Sequence, residues 1–422
     1  MRHVSASTSG GTTDVTRVLV FTLLLLAVPL STTAANEPGL FAHGLSDVQY
    51  AWSDSELSWL NRGPDKLRFD ETDQDNLQLG RLGLELGYGF DLQSVLKLEA
   101  NYYLDPESSL ELTEAYFQHR TLGSGSWRSR YRVGVFYPAI SMENTGPLWT
   151  SPYTISSSAI NTWLGEELRT VGAEGRWTWT GDEYNRSKHR LSLFAAMFCC
   201  NDTLGAMISW RGWSVHDRQT GVNGTLPIRE LPAIVYADHS REFEPFMEID
   251  DRVGFYGGLE WDYARRFRLQ LAYYDNRADD TIRQDDQYGW RTNFGQLGFH
   301  WQPADGWDLL GQFMRGRTIM VEDVVINDFE SGFLLAAKSW GPHRLAVRVE
   351  YFRIVDLDDS DFDLNREDGD SQTLSYSRLF GRGWKLSLEA TRFFSDHAAR
   401  RHFGEQERRS EHEVLVSLRY YF

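Results

Sequence analysis

Cysteine is nearly missing from this sequence: there are two in 422 residues, and they are neighbours, Cys199 and Cys200. So few, so placed, exclude a disulfide scaffold. Adjacent cysteines in extended chain do not readily bridge each other, and the pair reads as free thiols near a strand end. Basic residues are in deficit, with 43 Lys and Arg against 60 Asp and Glu and a formal net charge of −17. That balance argues against nucleic acid as a partner, since binding it requires neutralising phosphates. Beyond residue 35 no apolar run approaches the roughly 20 residues of a membrane helix. Hydrophobic residues make up only 41%, and mean hydropathy is −0.45. What is abundant is aromatic, with 24 Phe, 19 Tyr and 15 Trp, together with 36 Gly. Aromatic content of that order excludes disorder. It fits many two-sided strands, one face apolar and the other wet.

The N-terminus reads as an export signal. Arg2, His3 and Arg17 precede an apolar run from Val18 to Leu30, followed by Ser31-Thr32-Thr33-Ala34-Ala35. A basic region, a short apolar core and small residues before a cut are the parts of a secretory signal peptide, expected over residues 1–35. Its removal leaves a more acidic chain. An exported chain with no further hydrophobic helix can still cross a membrane, as a closed β-barrel.

Period-two alternation runs through the remainder. In the last segment Val414, Val416, Leu418, Tyr420 and Phe422 share one face, and Glu413, Leu415, Ser417, Arg419 and Tyr421 the other. The first face suits lipid and the second water. The same pattern recurs in Leu82-Leu84-Leu86-Tyr88, Tyr131-Val133-Val135, Leu191-Leu193-Ala195, Phe267-Leu269-Leu271 and Leu345-Val347-Val349. Turn lengths alternate short and long, as barrel turns do on the two sides of an outer membrane. Counted from the C-terminus, the alternation predicts an all-β transmembrane antiparallel barrel of 16 strands. The count requires Leu204–Trp213 to belong to a very long outside loop, 200–250; pairing it instead would give 17 or 18. Sixteen strands enclose a water-filled lumen, whereas eight would be filled by side chains.

The loop 138–166 stands out. It holds three prolines, Trp149, Tyr153 and Trp163, and apolar Ile140, Met142, Ile155 and Ile160. A loop of this length is usually functional, and its apolar content predicts a fold back into the lumen, with an external lid or trimer contact as the alternative. Around it lie Glu114-Ala115-Tyr116, Arg132-Val133-Gly134-Val135-Phe136, Pro138 with Ser141 and Glu143, and Arg169-Thr170-Val171-Gly172. These residues resemble the early strands of the phosphate-selective porins of the O/P type, and the terminal Tyr421-Phe422 is similar to outer-membrane barrels generally. The resemblance implies a homotrimer in the outer membrane of a Gram-negative bacterium, passive diffusion through a constricted pore, and an inward-folding loop. Lysine is scarce and no lysine cluster occurs, a departure from the phosphate-selective pattern.

Fixed charges at a narrow point control which ions enter a pore. The expected constriction sets Arg130, Arg132 and Arg169 on the flanking strands against Glu143, Glu166 and Glu167 of the loop, with Trp149 and Tyr153 beside them. The competing expectation is that these charges pair off and simply hold the loop. Arg266, Arg268, Arg344 and Arg348 read as further inward arginines; Arg176 is set aside because it would need a bulge. The stretch 356–370 is rich in carboxylates but lacks the glycine of a hand-type calcium loop, and reads as a solvated outside loop. No cofactor or metal site is expected. The functional reading is a porin passing small ions or hydrophilic solutes, with lipid as its surroundings and no catalysis. The alternatives are a structural or assembly barrel plugged by 200–250, and a lipid hydrolase using His216-Asp217 or Ser395 with His397, whose spacing does not make a triad.

Overall fold

In hydrocarbon, every strand must find a hydrogen-bonding partner on both edges, and only closure supplies one to the first and last. The computed structural model meets that demand. It describes residues 38–73, 77–104, 110–122, 125–181, 187–229, 240–321, 324–358, 360 and 363–422. The expected signal segment 1–35 lies outside the described residues. Sixteen strands form one closed barrel. They are β1 (Gly39–Ser53), β2 (Leu77–Gly89), β3 (Ser94–Tyr102), β4 (Leu110–Arg120), β5 (Trp127–Phe136), β6 (Thr170–Trp179), β7 (His189–Cys199) and β8 (Gly254–Tyr263). The second half comprises β9 (Phe267–Asp275), β10 (Arg291–Trp301), β11 (Trp307–Met320), β12 (Val325–Trp340), β13 (His343–Asp356), β14 (Glu367–Phe380), β15 (Trp384–His397) and β16 (Arg408–Tyr421).

Each strand pairs antiparallel with its sequence neighbours, and β1 closes the ring on β16 from Leu45 opposite Tyr421 to Ser53 opposite Glu413. Reciprocal bonds between Gly44 and Phe422, 2.9 and 3.0 Å, finish the seam at the C-terminus. The predicted count of 16 holds. The segment considered for a seventeenth strand is not one: Ala206–Trp210 is a short helix, α2, buried on every side. Burial all round explains why its pattern mimics a strand. The first strand starts at Gly39, with a bulge between Asp47 and Val48.

The loop alternation is also visible, with one exception. Connections of 90–93, 264–266, 341–342 and 381–383 sit at one end, and 54–76, 137–169, 200–253 and 276–290 at the other. The exception is 321–324, short at the long-loop end because β11 and β12 run on for 14 and 16 residues. Cys199 and Cys200 are bonded to each other, against the expectation of free thiols. Cys200 adopts φ 68°, and that left-handed turn at the end of β7 takes the pair out of the extended geometry assumed for it.

Side chains divide as period two requires. Leu193, Leu259, Leu271, Leu297 and Phe313 face one another across β7, β8, β9, β10 and β11 on the outer wall, all exposed. A contiguous apolar belt of this kind on a water-soluble protein would be an aggregation site; here it matches a hydrocarbon slab. Among the described residues no helix is long and apolar enough to cross a membrane. Replacing the belt residue Leu271 with arginine is expected to cost about 2–4 kcal/mol. Reversible denaturant unfolding from lipid vesicles measures it, and a cost under 0.5 kcal/mol would place β9 outside the hydrocarbon.

Candidate functional site in the barrel interior

The wall side chains of sixteen strands cannot fill the space they enclose. Three segments from the long-loop end contact the inward faces of the strands: 54–73, 137–168 and 200–229. Their apolar residues join those of the wall in one buried cluster containing Phe136, Ile140, Met142, Ile160, Trp163, Ile208, Trp213, Phe294 and Phe329. Trp163 is its centre, edge-on to Phe329, Phe294 and Trp213 at 5.2, 5.5 and 6.2 Å.

The segment after β5 reaches strands far around the ring. Gln270 on β9 donates to Ala139 O at 3.0 Å, and Gln312 on β11 accepts from Met142 N at 3.2 Å. Glu350 on β13 accepts from Ala159 N at 2.7 Å, and Glu389 on β15 accepts from Ile155 N and Ser156 N at 2.5 and 2.8 Å. Arg81 on β2 donates to Leu148 O at 2.6 Å. Inward glycines make room. A Cβ at Gly83 would stand 2.6 Å from Leu148, and one at Gly298 would stand 2.5 Å from Met142. The segment ends in helix α1 (Ala159–Glu167), whose first turn is capped by the Ser158 hydroxyl accepting from Asn161 N. That satisfies one of the helix's otherwise orphaned donors.

Arg348 on β13 is the hub of this docking. Fully buried, it pairs with Glu143 at 2.7 Å and with Glu350 at 3.0 Å. It also donates to Ser156 O and Ser157 O at 2.9 and 3.1 Å. One guanidinium thereby binds two carboxylates and two backbone carbonyls, using its fork geometry in full.

The expected constriction residues separate into local groups. Arg132 and Arg130 pair with Glu174 on the adjacent β6, at 2.9 and 3.5 Å. Arg169 is fully buried and donates to Thr113 O, Leu168 O, Thr220 O and the Tyr137 hydroxyl. It clamps the C-terminus of α1 rather than facing a carboxylate. Glu143 belongs to Arg348. Glu166 binds Arg211 through both oxygens at 2.6 and 2.7 Å, and His216 at 2.9 Å. Burial alone would raise its pKa, but Arg211 and His216 hold it down at about 2. Glu167 accepts from Gly205 N, Met207 N and the Trp163 indole. Burial pushes its carboxyl up to about 7. Trp149 stacks on Tyr137 at 4.2 Å, and Tyr153 lies under Arg344 at 5.2 Å.

The arrangement of a basic wall set against an acidic loop is therefore not what the contacts form. The physical reason is burial: a charge taken out of water needs its counter-ion within reach, so Arg130, Arg132, Glu143 and Glu166 each pair nearby, while Arg169 and Glu167 are held by hydrogen bonds to neutral groups. Sequence reasoning also missed residues. Arg176 faces inward beside Glu174 and pairs with Glu260 at 3.1 Å; the β5 to β6 register runs without a bulge. The 200–229 segment supplies Arg211, Asp217, Arg218 and Gln219, all tied to partners: Asp217 to Arg68 at 2.7 Å and Arg218 to Glu111 at 3.2 Å. Glu367, expected in a solvated loop, is buried and pairs with Lys66 at 3.0 Å. The 54–73 segment carried one legible signal, the alternation of charge and apolar residue in Asp65-Lys66-Leu67-Arg68-Phe69-Asp70.

Two cavities flank this packed layer. At the short-turn end, one of about 240 Å³ is lined by residues that include Pro152, Ser339, Arg344, Ser377, Lys385 and Tyr421. At the long-loop end, one of about 60 Å³ lies among Trp59, Arg211, Ile228, His397, Arg400 and Phe403.

No protein-family model matches the sequence, and no curated protein matches it. Solved structures do match the fold. The outer membrane channel DcaP of Acinetobacter baumannii superposes with a TM-score of 0.56 at 12% identity, over 93% of this chain and 100% of that one. Salmonella typhi OmpF, solved in complex with daunomycin, gives 0.52 at 11% identity, over 92% and 99%. The trimer form of OmpT, an outer membrane protein of Vibrio cholerae, gives 0.50 at 9% identity, over 92% and 100%. At such identities the likeness is one of fold: the chain has the barrel architecture of porin-type outer-membrane proteins.

Truncating Arg348 to alanine leaves Glu143 and Glu350 buried without their counter-ion. It is expected to cost about 3–5 kcal/mol, read as denaturant unfolding in detergent; a cost below 1 kcal/mol would mean the segment is docked by its apolar residues alone. A second test uses pH. Because the Glu166 pKa is held below its ordinary 4.5, its contribution is present above that value and is lost as pH falls through about 2. Between pH 5 and 2 the wild type should lose more thermal stability than Glu166→Gln; equal losses would show that Glu166 is not ionised in the fold.

Proposed function

We propose that this protein is a channel of the bacterial outer membrane, exported by its N-terminal signal and passing small hydrophilic solutes by diffusion, without catalysis. The observation that carries the reading is a closed 16-strand barrel with an apolar outer belt and a charged inner wall, crossed by the segment 137–168. An interior lined by paired charges is costly unless water or a polar network completes it, and a diffusion path supplies the water. The same reading takes 137–168, with Glu143, Trp149 and Tyr153, as the narrowing of that path, and Arg130 and Arg132 as part of its wall. Association as a homotrimer fits the resemblance to porins and the trimeric form of a fold neighbour.

Selectivity follows from the vestibule at the short-turn end. Arg344 and Lys385 line it, and no carboxylate is among its lining residues. The fixed charge of Arg344 favours anions at this mouth, so the channel prefers anions without the lysine cluster of the phosphate-selective porins. A second reading has a specific observation behind it. Residues 201–220 are almost wholly buried against the inner wall, which suits a structural barrel closed by a plug.

Planar-bilayer recording under a salt gradient decides between them. Discrete steps with an anion-preferring reversal potential are expected, moving toward cation preference in Lys385→Glu. A folded barrel that never conducts sinks the diffusion reading in favour of the plug, and cation preference in the wild type would overturn the assigned role of Arg344.

A further inference from the structure

The cavity at the long-loop end has a composition that the channel reading does not use. It lies between four connections: 54–73, 200–229, the one after β13 and the one after β15. Trp59, Met207, Ile228 and Phe403 give it apolar walls. Its volume, about 60 Å³, limits it to a small ligand. Two of its cations are already committed: Arg211 to Glu166, lying over Trp59 at 4.6 Å, and Arg229 to Glu405, over Phe403 at 3.5 Å.

Three donors are not committed. The Trp59 indole N–H, the Arg400 Nε–H and His397 Nε2 are buried, and none has a hydrogen-bond partner among the described residues. His397 Nδ1 faces Lys66 Nζ at 3.2 Å. An ammonium group only donates, so Nδ1 accepts and Nε2 carries the proton. The other nitrogens of Arg400 are occupied by Ser395 O, Glu407 O and Pro64 O, and its guanidinium pairs with Glu411 at 3.8 Å. A buried N–H without an acceptor costs roughly 1–3 kcal/mol, and native interiors rarely hold one. Three in the lining of one apolar cavity ask for a ligand that brings oxygens.

We propose that this cavity binds a small organic carboxylate, its oxygens taken by Trp59, His397 and Arg400 and its apolar body held between Met207, Ile228 and Phe403. A compact inorganic anion such as phosphate would satisfy the donors but leave the apolar walls unused. The proposal names a solute class for the channel, and rests on the channel reading only for what happens to the solute after capture.

Benzoate is the probe, titrated against the detergent-refolded chain by tryptophan fluorescence and calorimetry. The expected result is saturable binding at one site per chain, with benzyl alcohol and inorganic phosphate each at least tenfold weaker. Trp59→Phe, which keeps the ring and removes the N–H, should weaken benzoate at least fivefold. Ile228→Trp, which fills the cavity, should abolish binding. Heat-modifiable gel migration reports barrel closure in both variants, and if the larger residue prevents closure, Trp59→Phe decides. Equal binding of benzyl alcohol, phosphate as tight as benzoate, unchanged affinity in Trp59→Phe, or no saturable binding would each overturn the proposal. Binding is read without conduction, so a barrel that captures benzoate and passes no current sinks the channel and leaves this site standing.

Discussion

Closure of the strand ring governs everything else in this molecule. Hydrocarbon offers no substitute partner for a backbone N–H or C=O, so β1 must meet β16, and the pairing of Leu45 with Tyr421 through Ser53 with Glu413 is where it does. Closing sixteen strands sets a circumference, and the circumference sets an interior that wall side chains cannot fill. The interior must then hold either water or polypeptide. In this protein much of it holds polypeptide, and that choice dictates the chemistry of the inward positions.

Inserted polypeptide brings backbone groups that need partners, and the wall supplies them from every side. Glutamates on β13 and β15 accept from the 137–168 segment, glutamines on β9 and β11 bond its backbone, and Arg81 on β2 reaches Leu148 from across the ring. The ion pairs follow the same logic. Glu166 and Arg211 come from two of the inserted segments, 137–168 and 200–229, and lock one to the other, while Arg348 locks the first of them to the wall. Such pairs contribute little net stability over apolar packing. They fix position: a segment held by Gln270, Gln312, Glu350 and Glu389 at four different strands has one place to sit.

The barrel was legible in the sequence because period two is a local property. Val416, Leu418 and Tyr420 declare their face without knowledge of any other strand, and turn length carries strand count. The interior was legible only in part. Apolar residues in a loop, such as Trp163 and Ile160, announce that the loop is buried, and that inference needs no partner. Charge pairing does need one. Glu166 could be recognised as an inserted carboxylate, but its partner Arg211 lies 45 positions away in another loop, and nothing local links them. Arg130 and Arg132 were assigned to the loop carboxylates when their partner was Glu174, one strand over. The two bonded cysteines failed for a related reason, since the left-handed turn at Cys200 is a backbone state that residue type does not announce.

The packed layer divides the lumen into two unlike mouths. The short-turn vestibule is open and cationic, with Arg344 and Lys385 both donating to Pro152 O. The long-loop cavity is walled by aromatics, its arginines largely neutralised by carboxylates outside the lining. Its apolar residues and the cluster around Trp163 belong to the same inserted segments: Met207 and Trp210 of α2 face the cavity, whereas Ile208 between them faces the core. A ligand that fills the cavity therefore presses on the helix that Glu167 caps through Met207 N. The hydrogen bonds from Glu167 and the pair between Glu166 and Arg211 run from that helix into α1. The cavity lining and the inserted segment 137–168 are thus joined by a continuous set of contacts.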